Sequence, residues 1–374
     1  SQKPLEVIDT ISSYYNSYAA NVHRALYSIG EKATDEYENV RLLVKKILNV
    51  PDSHSVIFTS GTTESINLIA YSWGLKNLKK ADSVLITEME HHSNIIPWQL
   101  ITKKTNSSLN YIPLSNNGTL NTESMNEQLL SSTKIISISH QSNVFGTINP
   151  IKNIIDKAKN MDIITLIDGA QAVPHLKVNL AELDSDFYVF SGHKMLGPTG
   201  VGVLIGRNEL LEEMEPFLGG GEMINKVNMH ESTWNEIPWK FEAGTPKVAQ
   251  VIGLGAAIKY LMNIGLENIH NHEQGLLQYA LDILEQNENI ILYGNPPERG
   301  AVIPFNLKNI HAHDLAKFLD LDGICIRAGH HCAQPIMDYL NVSSTARISM
   351  NIYNDENDID ILAAGIKKTI STLN

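Results

Sequence analysis

The chain has 374 residues, 43% hydrophobic and 19% charged, which is enough apolar material for large buried cores and argues against disorder. Lys and Arg number 29 against 41 Asp and Glu, a net charge of −12, so a nucleic acid or an anionic membrane surface is disfavoured as a partner. Two cysteines seven positions apart, no signal-peptide pattern and no apolar stretch long enough to span a bilayer point to a soluble cytoplasmic protein in a reducing compartment.

Short β-rich runs alternate with helical patterns through the first two thirds. The strands are expected at 55–59, 84–87, 135–139, 163–167, 187–190 and 201–205, with helices at 63–73, 94–102, 151–160 and 208–214. Runs apolar on both faces and separated by helices predict an α/β fold: a mostly parallel central sheet with helices on both faces. Ligands in such sheets bind beyond the carboxyl ends of the strands. From Pro216 to Pro246 the pattern breaks, in a segment with Gly219-Gly220-Gly221, Trp234 and Trp239. Loops this long are functional or contact another subunit. Long helices follow at 248–262 and 266–285. The tail alternates again, with strands at 302–307, 324–327 and 346–350, a helix at 313–319 and a closing helix from Asp358. The length suits two domains: a large one over 1–262 and a smaller α+β one over 263–374.

Four strand ends carry unusual residues. After Thr59 comes Ser60-Gly61-Thr62-Thr63-Glu64, where a tight turn and two threonines at a helix start form an anion site or an ordinary N-cap. His91-His92 follow Glu90, and a ring there can stack on a planar cofactor or move protons. Asp168 closes a buried run, where a carboxylate needs a cation or several donors to stay ionised. A protonated pyridine nitrogen would serve, and aspartate is its partner in pyridoxal-phosphate sites. Lys194, in Ser191-Gly192-His193-Lys194, ends the run 186–190, and desolvation there favours the neutral amine that Schiff-base chemistry needs. Each alone has a bland structural reading; in the order phosphate turn, histidine, aspartate, lysine they form a pyridoxal-phosphate site.

The run Arg327-Ala328-Gly329-His330-His331-Cys332-Ala333-Gln334-Pro335 places Cys332 in a turn flanked by imidazoles and an arginine, a setting that suits a reactive thiol. Cys325 alternates with Ile324 and Ile326 and reads as a packed core residue. Three consecutive side chains seldom converge on one ion, so 330–332 is not read as a metal site. His270, His272 and Glu273, near a helix start, read as solvated, as do His311 and His313.

With these motifs the chain resembles the cysteine desulfurases, specifically the SUF-type branch of the class V aminotransferase-like, fold-type-I enzymes. The likeness runs through Ser1-Gln2-Lys3-Pro4, Gly61–Glu64, Glu90–Asn94, Asp168–Gln171, Ser191–Lys194, Phe241–Pro246, Arg327–Pro335 and Ala346–Ser349. It implies pyridoxal 5'-phosphate as cofactor, with Lys194 as its Schiff-base lysine. Thr62, Thr63, Ser191 and His193 would hold the phosphate, with Thr245 reaching it from the partner of a homodimer. Asp168 would pair with the pyridine nitrogen, Gln171 with the ring hydroxyl, and His91 would stack on the ring. Asn143 and Arg347 would grip the carboxylate of L-cysteine, with His23 and Arg327 also on the substrate side, and Cys332 would take the sulfur. The implied reaction converts L-cysteine to L-alanine and leaves a persulfide for a SUF-system acceptor in iron–sulfur cluster assembly. A plastid-type organelle is the alternative location.

Two departures stand out. The family has further N-terminal residues, ending in Ala-Ala-Thr, before the motif in which this chain starts, and it often has a basic residue where Ser60 stands. The enzymatic alternatives are a selenocysteine lyase or another class V lyase or transaminase, which would keep Lys194 without depending on Cys332. The alternative of another class is an inactive scaffold subunit of a sulfur-transfer complex.

Overall fold

Alternating apolar residues decide how the large sheet is buried. In the computed structural model, which describes residues 1–24 and 26–373, seven strands form this sheet. They are β1 (His54–Thr59), β2 (Ser83–Thr87), β3 (Ser108–Ile112), β4 (Thr133–Ser139), β5 (Ile164–Asp168), β6 (Phe187–Ser191) and β7 (Gly202–Arg207). Their order is β1-β7-β6-β5-β4-β2-β3, and only β7 runs against its neighbours. Tyr188 and Phe190 join one apolar cluster, which takes in helices Ser28–Ile47 and Val248–Ile264. Phe187 and Val189 join another, with helices Thr62–Ile69 and Ile96–Thr105. Side chains of successive strand residues point to opposite faces, so the sheet is covered on both sides.

A hairpin, β8 (Ile224–Val227) with β9 (Ser232–Trp234), stands apart in the segment expected to be irregular. The tail forms an antiparallel four-stranded sheet in the order β10-β11-β13-β12. Its strands are β10 (Ile290–Leu292), β11 (Val302–Leu307), β12 (Arg327–Gly329) and β13 (Thr345–Ser349). Helices Leu266–Glu285, Ala312–Asp320 and Glu356–Leu373 share an apolar cluster with it. Gly265, at φ 89°, separates helix Val248–Ile264 from the next; a domain boundary after residue 262 falls inside the last turn of that helix. Among the described residues no single helix is long and apolar enough to cross a membrane.

Several local expectations are corrected. The helix expected over 63–73 runs from Thr62 to Ile69 and then widens into a π-turn, Ala70–Gly74. Strand β3, an edge strand, went unread because its residues are largely half-buried or exposed. The strand expected at 324–327 begins only at Arg327. Cys325 is exposed rather than packed in the core, because Ile324 and Ile326 pack inward and leave the cysteine on the opposite side. Glu273 is buried rather than solvated, at 2% exposure.

Candidate active site

The carboxyl ends of β1, β2, β4, β5 and β6 deliver loops to one region, and β13 supplies residues opposite them. A cavity of about 360 Å³ there is lined by His91, Gln141, Asn143, Gln171, His175, His193, Lys194, Arg327 and Arg347, among others.

At the end of β1 the chain turns through Gly61 into helix Thr62–Ile69. Thr62 donates its backbone N–H to Ser191 Oγ at 2.9 Å, and the two hydroxyls meet at 2.8 Å. Thr62 is buried and Thr63 exposed. Behind the turn, a Cβ on Gly202 would collide with the backbone of Gly61, so only glycine lets β7 lie this close. The result is a ring of hydroxyl and N–H groups at a helix start, chemistry that suits an anion.

Beyond β2, Glu90 is fully buried and accepts four hydrogen bonds, from Thr87 Oγ1, Ser139 N, Ser139 Oγ and Asn94 Nδ2, at 2.5–3.0 Å. Burial nevertheless pushes its carboxyl up to about 7. This network fixes the turn that presents His91. His91 Nδ1 accepts the backbone N–H of Ser93 at 3.1 Å. Burial, with the charge of Lys194, pushes its pKa down to about 4. The ring is therefore neutral near pH 7, with its proton on Nε2.

At the end of β5, Asp168 accepts the N–H of Ala170 at 2.9 Å. Burial raises its pKa, and Lys194 opposes that rise. Next to it Gly169 passes so close to the Tyr188 ring that a Cβ would overlap it. The Tyr188 hydroxyl meets His140 Nδ1 at 2.9 Å. Lys194, just after β6, is held below its usual range by burial, while Asp168 and Cys332 act the other way. Backbone carbonyl His193 O accepts from Lys3 Nζ and Ser1 Oγ, both at 2.9 Å, which ties the first residues to the lysine turn.

The Cys332 turn is over-determined. His331 and Cys332 both have positive φ, 54° and 56°, a conformation that costs of order 1–3 kcal/mol at each non-glycine residue. Asn143 Nδ2 donates to His331 O at 2.7 Å, and His92 N–H donates to Cys332 O at 2.7 Å. Gln334 N–H donates to His92 Nε2 at 3.0 Å, and His331 Nε2 meets Thr345 Oγ1 at 2.9 Å. Both sheets thus grip the turn. Arg327 reaches Cys332 Sγ at 3.7 Å, and Arg347 NH1 donates to Asn143 O at 2.6 Å.

Not every expected residue joins this group. Thr245 is exposed and does not line the cavity of its own chain. His23 pairs with Glu38 at 2.9 Å and packs edge-on against Tyr37 and Trp239. His175, which the sequence reading did not pick out, lines the cavity and is held by the buried Glu273 at 2.9 Å through Nδ1. The partners are far apart in sequence, so only a strand-end rule applied to every loop would have flagged His175. Among the described residues no cluster of three or more His, Cys, Asp or Glu has metal-holding geometry.

Residues 1–362 match the family Aminotransferase class-V. The chain is 51% identical to a probable cysteine desulfurase of Halalkalibacterium halodurans, over 99% of this chain and 91% of that protein. It is 50% identical to one of Staphylococcus aureus, over 99% of this chain and 90% of that protein. Among solved structures it resembles the cysteine desulfurase CsdA of Escherichia coli, with a TM-score of 0.93, 34% identity and coverage of 99% of this chain and 92% of that one. The apo cysteine desulfurase of Thermococcus onnurineus superposes with a TM-score of 0.95, again at 34% identity and the same coverage.

Proposed function

The chain belongs to the class V aminotransferase family, and we propose that it is a cysteine desulfurase that turns L-cysteine into L-alanine and keeps the sulfur on Cys332 as a persulfide. The observation that carries this reading is the meeting of a desolvated Lys194 with Arg327 and Arg347 in one cavity, and of Arg327 with the Cys332 thiol.

The residues fit pyridoxal 5'-phosphate. The Thr62–Ser191 hydroxyl pair and the glycine-shaped turn at Gly61 suit its phosphate, and the buried carboxylate of Asp168 suits its ring nitrogen. Lys194 would hold the aldehyde carbon, Gln171 the ring hydroxyl and His91 the ring face. When bound, the cofactor supplies an electron sink for the substrate's Cα.

The side chains do the rest. Arg347 orients the carboxylate, a planar match that lysine could not reproduce. Lys194, with its pKa lowered by burial, takes the Cα proton as general base. The Cys332 thiolate attacks the substrate sulfur: the Cβ–S bond breaks, an S–S bond forms, and the substrate carbon gains the electrons that the two sulfurs lose. His91, carrying its proton on Nε2, handles protons in that step.

Thr245, exposed in its own chain, and the 216–246 segment support a homodimer with sites shared across the interface. The Arg327–Pro335 motif supports the SUF-type branch, a protein acceptor for the sulfur and a role in iron–sulfur cluster assembly. The acidic charge and two free cysteines suit a cytoplasmic setting.

Purified enzyme is incubated with L-cysteine, alanine is quantified, and the added sulfur is located by mass spectrometry. A 32-Da class of adduct, about one sulfur atom, is expected on Cys332. Cys332→Ser is expected to lose the adduct and Lys194→Ala to lose alanine formation. Full persulfide labelling in the serine variant would move the nucleophile elsewhere.

A further inference from the structure

Gln141 stands on the loop after β4 at 2% exposure, and it lines the catalytic cavity. Both Oε1 and Nε2 are buried without a hydrogen-bond partner among the described residues. Buried amides are almost always paired, and leaving both ends unpaired is unfavourable. An aliphatic side chain would fill the same space without that penalty. The opposing wall is also shaped for the amide, since a Cβ on Gly300 would overlap its carboxamide group. The carboxamide at the cavity wall thus keeps hydrogen-bonding capacity that the described residues do not satisfy.

A second unpaired donor lines the same cavity. Arg347 Nε has no partner, while its NH1 is anchored on Asn143 O. Asn143 lies two residues beyond Gln141, so one short loop carries the amide and positions the guanidinium. The main-chain bridge from Gln141 to Ile148 and the bond from Ser142 N–H to Thr147 O at 2.9 Å hold that loop in shape. One cation and one amide with free N–H groups suit a carboxylate, which accepts several hydrogen bonds at once.

We propose that Gln141 is a substrate-recognition residue whose Nε2 donates to the α-carboxylate of the amino-acid substrate beside Arg347. This rests on the desulfurase reading above and adds a specificity-determining group to it. Hydrogen bonds to charged partners are worth roughly tenfold to a hundredfold in affinity.

The test uses the cofactor-loaded enzyme and its Gln141→Leu variant, whose folding is checked by thermal melting. KM for L-cysteine is expected to rise about tenfold with kcat within about twofold. The dissociation constant for L-alanine, read by calorimetry, is expected to rise by a similar factor. That for L-alaninamide, which lacks the carboxylate charge, is expected to stay unchanged. Gln141→Glu, which sets a like charge against the carboxylate, is expected to weaken L-alanine further, by about a hundredfold. An unchanged KM in Gln141→Leu, or equal weakening of L-alanine and L-alaninamide, overturns the assignment. Failure of the unaltered enzyme to form alanine from cysteine would instead remove the desulfurase reading, and is seen before any variant is made.

Discussion

The charge state of His91 follows from its surroundings rather than from its type. Its folded pKa of about 4 lies below the unfolded value, so the neutral ring persists through the working range and protonates only in acid. Nitrogen-detected NMR is expected to show no titration of this ring between pH 5.5 and 8; a midpoint near 6.5 would contradict the packing described. Lys194 and Asp168 could be read from the sequence because each ends an apolar run, and strand ends are where chemistry gathers in such sheets. Gln141 and His175 sit at equally informative places, but a glutamine or histidine in a loop carries no signal until its partners are known. Cys325 misled for a different reason. Alternation gives a period of two but not its phase, and the two isoleucines took the inner side.

Between elements, one buried ion pair locks the 239–242 turn onto β1 and helix Ser28–Ile47. Arg41 NH1 donates to Glu242 Oε1 at 2.8 Å and to Val56 O at 2.6 Å, and Phe58 N–H donates to Glu242 Oε1 at 2.7 Å. Removing Glu242 leaves the buried Arg41 with only the partly exposed Glu38 as counter-charge and takes the acceptor from Phe58 N–H. Glu242→Ala is therefore expected to destabilise the fold by about 3–5 kcal/mol in urea unfolding. The pair Arg41→Met with Glu242→Leu is expected to recover most of that loss, and a single variant within about 1 kcal/mol of the parent would show the pair to be idle. Element types were legible in periodic stretches such as helix Leu266–Glu285, but helices Leu5–Ser17 and Ser28–Ile47, just as periodic, went unread. Strands were lost where the pattern thins, in the half-exposed β3 and the β8–β9 hairpin, whose stability comes from pairing rather than from its own residues.

Across the whole molecule, buried imidazoles set the response to acid. Burial holds His140 at about 4 and His331 at about 3. Their unfolded forms bind protons near pH 6.5, so stability is fully present above that value and drains as pH falls through the folded pKa values. His140 alone corresponds to a loss of about 3 kcal/mol once the pH lies below its folded value. Glu90 has the opposite sign: with its carboxyl raised to about 7, folding gains as pH falls from 7 toward 4.5, which offsets part of the loss. The balance predicts a lower urea midpoint at pH 5 than at pH 7, and a higher one would mean that the histidines are solvated.

His92 and Asn143, both from the large sheet, hold the peptide units of Cys332 and His331, while Thr345 of the small sheet holds the His331 ring. A residue clamped at its main chain has only its own side-chain torsions with which to travel. A terminal sulfur added there extends the reach by about 2 Å, the length of one S–S bond. If Cys332 carries the sulfur, as proposed, delivery falls to the visitor: an acceptor would have to bring its own thiol into the cleft, and a carrier with a long, narrow tip would do so where a flat one would not.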